Sequence, residues 1–516
     1  MLELSQIDGY RIGSYQKDEL SFEIPGLLEL KRDSIVLGNS SLHKPLSYPF
    51  RDMIEDKDNF QPLLRVSKGT PLSMAQKIQK KNVDLKGSGD IVQVFLSGMG
   101  KLDDEMVDGL DASIYLFDMD DERSLLKAYF RIREKNPEAV CFCNCGPDEL
   151  PVLAYAGFDL FTKTDENQKA LELFLENDTP QYVEMTACSS IRAKTLLDLL
   201  YNEHWGDMAQ NIHRPIGKEL YISKDAFWRP NAQRWAKNVC ENFIPQSKFF
   251  LLLPCSSRKP YSSSPSHRRF ITMARSVLGR SYGSLCQLIV TSPYGVVPRD
   301  LEGLIDYDIV VTGKWMREEV ERSSHMLKNI ISKTKDPQVI AHLPENELDT
   351  LEGLEGDITV TTDGHPLSDG SMQNLKEALL KVKDSLPVAE DGYGDVRRLS
   401  KFLYGKDIFP DKIYVKGRGV KQVFSSNVPL ASLVNGLRPL SGNVDVEKKW
   451  VEIDFDIKGD LFCVGVRDAD EDILAGDEVI IRNGKKTVAV GTAILPGKMM
   501  KKMRKGKAVK IRKRFH

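Results

Sequence analysis

Apolar and polar positions follow two rhythms along this chain. Short, continuous apolar runs read as buried strands: "FFLLLP" (249–254), "CQLIVTSP" (286–293), "YDIVVTG" (307–313), "QVIAHLP" (338–344) and "DITVTT" (357–362). Between them, "SHRRFITMARSVLG", "WMREEVERSSHMLKNIISKT" and "SMQNLKEALLKVKDSL" carry apolar residues at helical spacing, the first with a Gly at its end. Short apolar strands separated by helices predict a mostly parallel sheet covered on both faces, here over residues 211–385. Residues 1–210 mix strand-like runs such as "DIVQVFLSG" with amphipathic helices, as in "DASIYLFDMDDERSLLKAYFRIREK", and predict an α/β layer or barrel-like arrangement. Residues 386–443 form a smaller, loop-rich α+β unit containing "RRLSKFLYG". Residues 444–516 carry several short strands punctuated by Gly, which suits a small β-barrel.

Length and composition fit this division. A chain of 516 residues exceeds one hydrophobic core, and 41% apolar with 28% charged residues is ordinary for a globular protein. No apolar run approaches a membrane span, and the N-terminus "MLELSQIDGYRIGSYQ" has no signal core, so a cytoplasmic location without a membrane partner is expected. Eight scattered Cys are too few for a disulfide scaffold. Net charge is only -2, yet residues 497–516 hold ten Lys or Arg and no acid. Such a block either solvates a tail or binds nucleic acid by displacing counterions from phosphates; the alternation in "AVKIRKRF" reads as a cationic strand and favours the second.

The densest chemistry follows the first central strand. "PCSSRKPYSSSPSHRRF" (254–270) occupies the carboxyl end of that strand, where open α/β sheets bind ligands. Ser264 and Ser266 can cap the next helix. Cys255 lies beside Arg258 and Lys259, whose cations favour a thiolate, and His267 titrates near neutrality. Singly, each of these residues also suits a structural role; together they predict a site. A second loop, "TSPYGVVPRDLE" (291–302), has the same placement and leads toward a helix. Ser292 and Pro293 echo the earlier turn, Gly295 would admit a ligand to the backbone, and Arg299 offers charge. "CFCNC" (141–145) invites zinc, but three Cys with single-residue spacing and no nearby fourth ligand read better as a strand, and no metal is expected.

Two resemblances extend this reading. From Gly459 onward, "GDLF", "AGDEVIIRN", "VAVGTA", the Met-Met pair and "KGKAV" closely resemble the PUA domain, a small RNA-binding β-barrel. The resemblance makes RNA the partner of the basic tail, with Lys501, Lys502, Arg504 and Lys505 on phosphates. Pro254, Cys255, Lys259, Pro260, Tyr261, Ser264 and His267 match the Pro-Cys-x3-Lys-Pro-Tyr-x2-Ser-x2-His signature, so the chain resembles the archaeosine synthase family.

That resemblance implies a transferase acting on tRNA that carries 7-cyano-7-deazaguanine at position 15 in the D-loop. It implies addition of an amine to the nitrile, with L-lysine as donor and a radical-SAM partner completing archaeosine. Glutamine or ammonia is the alternative donor. It further implies catalytic roles for Cys255, Lys259, His267 and Tyr261, and substrate contacts for Ser256, Ser264, Ser292, Pro293, Gly295 and Arg299. The segment "GPDELPVLAYAGFDLF" (146–161) resembles tRNA-guanine transglycosylase, which implies a degenerate, TIM-barrel-like N-terminal domain. Aligned on Cys188, Val183 and Met185 stand where two zinc-ligating Cys belong, although His204 could serve as the His, so the zinc site reads as lost and no cofactor is expected. A transglycosylase and a non-catalytic tRNA-binding subunit remain the other readings, and a homo-oligomer is compatible with all three.

Overall fold

The computed structural model describes residues 2–8, 10–17, 20–30, 34–37, 40–43, 60–61, 92–96, 107, 113–119 and 121–515, other than 178, 216, 312, 390, 391, 419, 435 and 443. Two compact units divide the chain. One comprises Met1–Arg214, Val451–Val479 and Gly491–Arg512; the other comprises Pro215–Trp450, Ile480–Val490 and Lys513–His516.

In the first unit, an eight-stranded sheet has the order 40–43, 34–37, 26–30, 160–162, 140–143, 114–118, 92–96 and 60–61. The ladders from 26–30 through 60–61 are all parallel, while 34–37 and 40–43 add antiparallel. The strand Val140–Cys143 buries both Cys141 and Cys143. The Cys141 backbone N–H donates to Asp159 Oδ2 at 2.8 Å, and that carboxylate is paired with the buried Arg11 (3.4 Å) and Arg133. A carboxylate with no exposure needs such partners. Within "CFCNC", Cys141 thus lies against this ion-paired carboxylate, and Cys141 and Cys143 belong to the apolar core.

The second unit contains the site. Its main sheet is built from β1 (Phe249–Pro254), β2 (Cys286–Thr291), β3 (Gly295–Pro298), β4 (Gln338–Ala341) and β5 (Asp357–Val360), in the order β3-β2-β1-β4-β5. All ladders are parallel except the β2–β3 hairpin. Alternation along β1 sends Phe249, Leu251 and Leu253 into one core, with Phe270 and Ala274 of α1 (Pro265–Leu278) and Leu375 and Leu379 of α3 (Asp369–Val382). Phe250 and Leu252 enter the opposite core, against Met326 and Ile330 of α2 (Arg317–Ile331). Both faces are covered at β1, β2 and β4, which is why these strands read as apolar runs, whereas β5, expected to be buried, lies at the end of the sheet and is largely exposed.

Two expectations change here. "TSPYGVVPRDLE" forms a tight hairpin turn, β3 and a 3-10 segment (Arg299–Leu304) rather than a connection into an α-helix. "YDIVVTG" does not join the main sheet. Tyr307–Ile309 pairs with Glu219–Tyr221 in a separate two-stranded sheet, which leaves Val310 and Val311 exposed.

Residues 394–404 form a helix beside a four-stranded antiparallel sheet spanning 414–439. Its Arg398 clasps Asp300 through two hydrogen bonds, at 2.5 and 3.1 Å. The C-terminal segment forms a six-stranded sheet with a short helix, Gly497–Lys502. No helix among the described residues is long and apolar enough to cross a membrane.

Candidate active site

The chain leaves β1 toward β2 on one side and reaches β4 and β5 on the other, so the switch point, where open α/β sheets bind ligands, lies at the carboxyl ends of β1 and β4. The signature loop follows β1 directly at that point. A 3-10 turn (Tyr261–Ser263) follows Pro260, and Ser264 then caps α1, its Oγ accepting from the His267 N–H at 3.2 Å.

Cys255 keeps accessible surface although protein crowds it closely. Desolvation first, then the negative charge of Glu347, push its thiol up to about 11; Lys259 and a hydrogen bond with Thr291 act in the other direction and lose. The expectation of a thiolate held by neighbouring cations is thereby corrected: Arg258 is exposed, burial outweighs Lys259, and the resting group is a thiol.

Lys259 is half-buried with its ammonium 3.9 Å from the centre of the Tyr307 ring, and it forms no salt bridge among the described residues. Burial lowers its pKa. The ring face supplies the electrostatic attraction that a carboxylate otherwise would, so the cation remains available to an anionic group. Tyr307 is fixed from behind: its hydroxyl lies 2.8 Å from that of Tyr261 and 2.5 Å from Thr291 Oγ1, and Tyr261 donates to Thr291 Oγ1 at 3.2 Å. Tyr261 is fully buried, which holds its hydroxyl well above its ordinary pKa. Its place in the signature is explained as support for the Lys259–Tyr307 stack, and the expected proton donation to substrate finds no exposed hydroxyl.

His267 is likewise enclosed. Arg299 Nη2 donates to its Nδ1 at 2.7 Å, so the proton sits on Nε2, which donates to the Pro254 carbonyl at 2.9 Å. Desolvation and the adjacent guanidinium lower its pKa to about 3. Both ring nitrogens are used within the protein, and the neutral imidazole ties α1 to the end of β1 beside Cys255. Arg299 also reaches Glu302 at 3.0 Å and Gln287 at 3.3 Å, and Glu302 accepts from the Ser262 N–H at 3.0 Å. Arg299 thus braces the loop rather than facing a ligand.

The remaining expected contacts divide. Ser256 donates to the Arg258 carbonyl at 3.1 Å. Pro293 is buried, its carbonyl accepting from Arg322 at 2.7 Å. Gly295 takes a positive φ of 74°, and a Cβ there would meet Met326 Sδ at 2.5 Å, so the space a side chain would fill is taken by α2. Ser292 Oγ, by contrast, is buried with no hydrogen-bond partner. Reading the sequence missed Glu347, on the 3-10 segment after β4 (Glu345–Leu351). It is 5% exposed and its Oε2 has no partner, while burial lifts its carboxyl to about 8. Nothing in "PENELD" distinguishes this acid from its exposed neighbours.

In the C-terminal segment, Lys501, Lys502, Arg504 and Lys505 are all exposed. Lys501 is paired with Glu471 at 2.8 Å and Asp468 at 3.4 Å, and Lys502 donates to the Glu134 carbonyl. At the positions that the transglycosylase resemblance aligns with zinc ligands, Val183 is buried, Met185 and Cys188 are exposed, and His204 stacks on Phe130 at 4.7 Å. No group of three or more His, Cys, Asp or Glu among the described residues is arranged to hold a metal.

Residues 232–379 match a family model described as a domain of unknown function, DUF5591, and residues 444–515 match the PUA domain. A thiol, an ammonium ion without a salt bridge and a buried carboxyl thus lie at the carboxyl ends of a parallel sheet, in a chain whose residues 444–515 match the PUA domain. The archaeosine synthase of Methanocaldococcus jannaschii is 31% identical over 98% of this chain and 98% of its own. The archaeosine synthase subunit alpha of Thermococcus kodakarensis is 34% identical over 58% of this chain and 57% of its own, and the archaeosine synthase of Haloferax volcanii is 32% identical over 62% and 57%. The chain belongs to the archaeosine synthase family, a family of tRNA-modifying transferases.

Proposed function

We propose that this protein adds the amine of L-lysine to the nitrile of 7-cyano-7-deazaguanine at position 15 of tRNA, giving an amidine adduct that a radical-SAM partner converts to archaeosine. The observation that carries the reading is the pairing of an accessible Cys255 thiol with the unpaired Lys259 ammonium at the carboxyl edge of the sheet. A nitrile carbon is a weak electrophile toward a neutral amine. In the proposed reaction the Cys255 sulfur attacks it, giving a thioimidate, and the lysine amine then displaces the sulfur; one hard step becomes two easier ones. Lys259 stabilises the negative charge that builds on nitrogen. His267, Arg299 and Tyr261 position the loop, and Ser292 Oγ offers the substrate a hydrogen-bonding group without a protein partner.

The PUA domain and its exposed cations hold the tRNA backbone, and the transglycosylase-like N-terminal part serves architecture or tRNA contact without zinc. Glutamine or ammonia as donor predicts a lighter product. Nucleoside mass spectrometry after incubation with cyano-deazaguanine tRNA and isotope-labelled lysine tests the reading. A nucleoside heavier by one whole lysine supports it. An unchanged nitrile with every donor leaves a tRNA-binding subunit, and incorporation of labelled base into unmodified tRNA indicates a transglycosylase.

A further inference from the structure

Glu347 is a buried carboxyl group with an oxygen that no protein group satisfies, an arrangement that costs stability and is retained where it has work to do. It stands on the turn after β4, and Cys255 stands at the end of β1, the strand that pairs with β4. The two residues thus stand past the carboxyl ends of neighbouring strands. The negative charge of Glu347 acts on the Cys255 thiol. Resting on the function proposed above, we propose that Glu347 is the proton carrier of this site, taking the thiol proton of Cys255 as sulfur attacks and returning it to the nitrile nitrogen.

The step balances without a further reagent. The S–C bond forms, one π bond of the nitrile breaks, its electron pair goes to nitrogen, and the proton passes from sulfur through the Glu347 carboxyl to that nitrogen. In the second half the amine nitrogen bonds to the same carbon and the C–S bond breaks. The ammonium proton returns through Glu347 to sulfur. Burial alone, with no opposing charged neighbour, places the carboxyl at about 8, where the carboxylate is available as a base and its acid form still donates. The resting thiol needs such a base, since its own ionisation lies higher.

The experiment uses the full chain, wild type, Glu347→Gln and Glu347→Asp. It combines single-turnover consumption of the tRNA nitrile with peptide-resolved alkylation of Cys255 by iodoacetamide between about pH 6 and 10. The Gln variant should consume nitrile at least about 100-fold more slowly, with tRNA affinity unchanged. It should also alkylate Cys255 several-fold faster at alkaline pH, because the repelling charge is gone. Glu347→Asp should recover part of the nitrile consumption. A structural role would instead lower thermal stability in the Gln variant, whereas removing an unpaired buried acid should hold or raise it. Undiminished nitrile consumption by Glu347→Gln, or an alkylation profile superimposable on that of the wild type, overturns the proposal. If wild type itself consumes no nitrile, the proposed function fails, and the alkylation profile alone then decides: superimposable curves overturn the thiol–carboxyl pairing and a displaced curve upholds it.

Discussion

Replacing His267 by Gln separates a tether from a proton donor. In the folded protein the imidazole is held neutral, with its pKa lowered from 6.5 to about 3 by desolvation and by Arg299. The unfolded chain takes up that proton more readily than the folded one. The stability that depends on a neutral His267 is therefore complete above the unfolded pKa and is lost as pH falls from 6.5 toward about 3. The loss by pH 5 relative to pH 8 is about 2 kcal/mol, from 1.36 kcal/mol per unit. His342, lowered to about 4, changes stability in the same direction, so the difference between wild type and His267→Gln isolates the first residue. The assay is guanidinium unfolding followed by tryptophan fluorescence at pH 8, 6 and 5. Gln should weaken the protein at pH 8 by about 1–3 kcal/mol through the lost hydrogen bonds. The gap between variant and wild type should then close by about 2 kcal/mol at pH 5. Parallel losses in the two proteins would refute the buried neutral tether.

Further outcomes follow from other parts of the molecule. Gly295→Ala should destabilise by about 2–4 kcal/mol in thermal denaturation, combining a left-handed backbone with a clash at Met326, and Met326→Ala in the same chain should relieve part of it. Asp159→Asn should cost about 3–5 kcal/mol by leaving Arg11 and Arg133 buried without their carboxylate, again read by thermal denaturation. Lys505→Ala should weaken tRNA binding and reduce the slope of log K against log salt by about 0.7–0.9, without changing the rate at saturating tRNA.

Much of the central sheet was legible because strands buried on both faces carry apolar runs, as β1, β2 and β4 do, whereas β5 is a largely exposed strand at the sheet's end. The same rule misplaced Tyr307–Ile309, where apolar residues form a small separate sheet and Val310 and Val311 face solvent. The signature loop was legible as a candidate site from its residue types and its place after a strand. The roles within it were not, because they depend on partners brought from elsewhere in the chain. Arg299 neutralises the titration of His267, Tyr307 receives Lys259, and Thr291 ties Tyr261. Gly295 offered a plausible ligand approach in sequence, yet its missing side chain makes room for Met326. Glu347 gave no sequence signal, since only tertiary burial distinguishes it from Glu345 two residues earlier.

The covalent role of Cys255 is tested most directly by the single-turnover rate of nitrile consumption in Cys255→Ser, with saturating tRNA and lysine. Loss of about a thousandfold or more, with tRNA binding intact, is the predicted result. Turnover at the wild-type rate would contradict a thioimidate at this residue and leave direct attack by the amine.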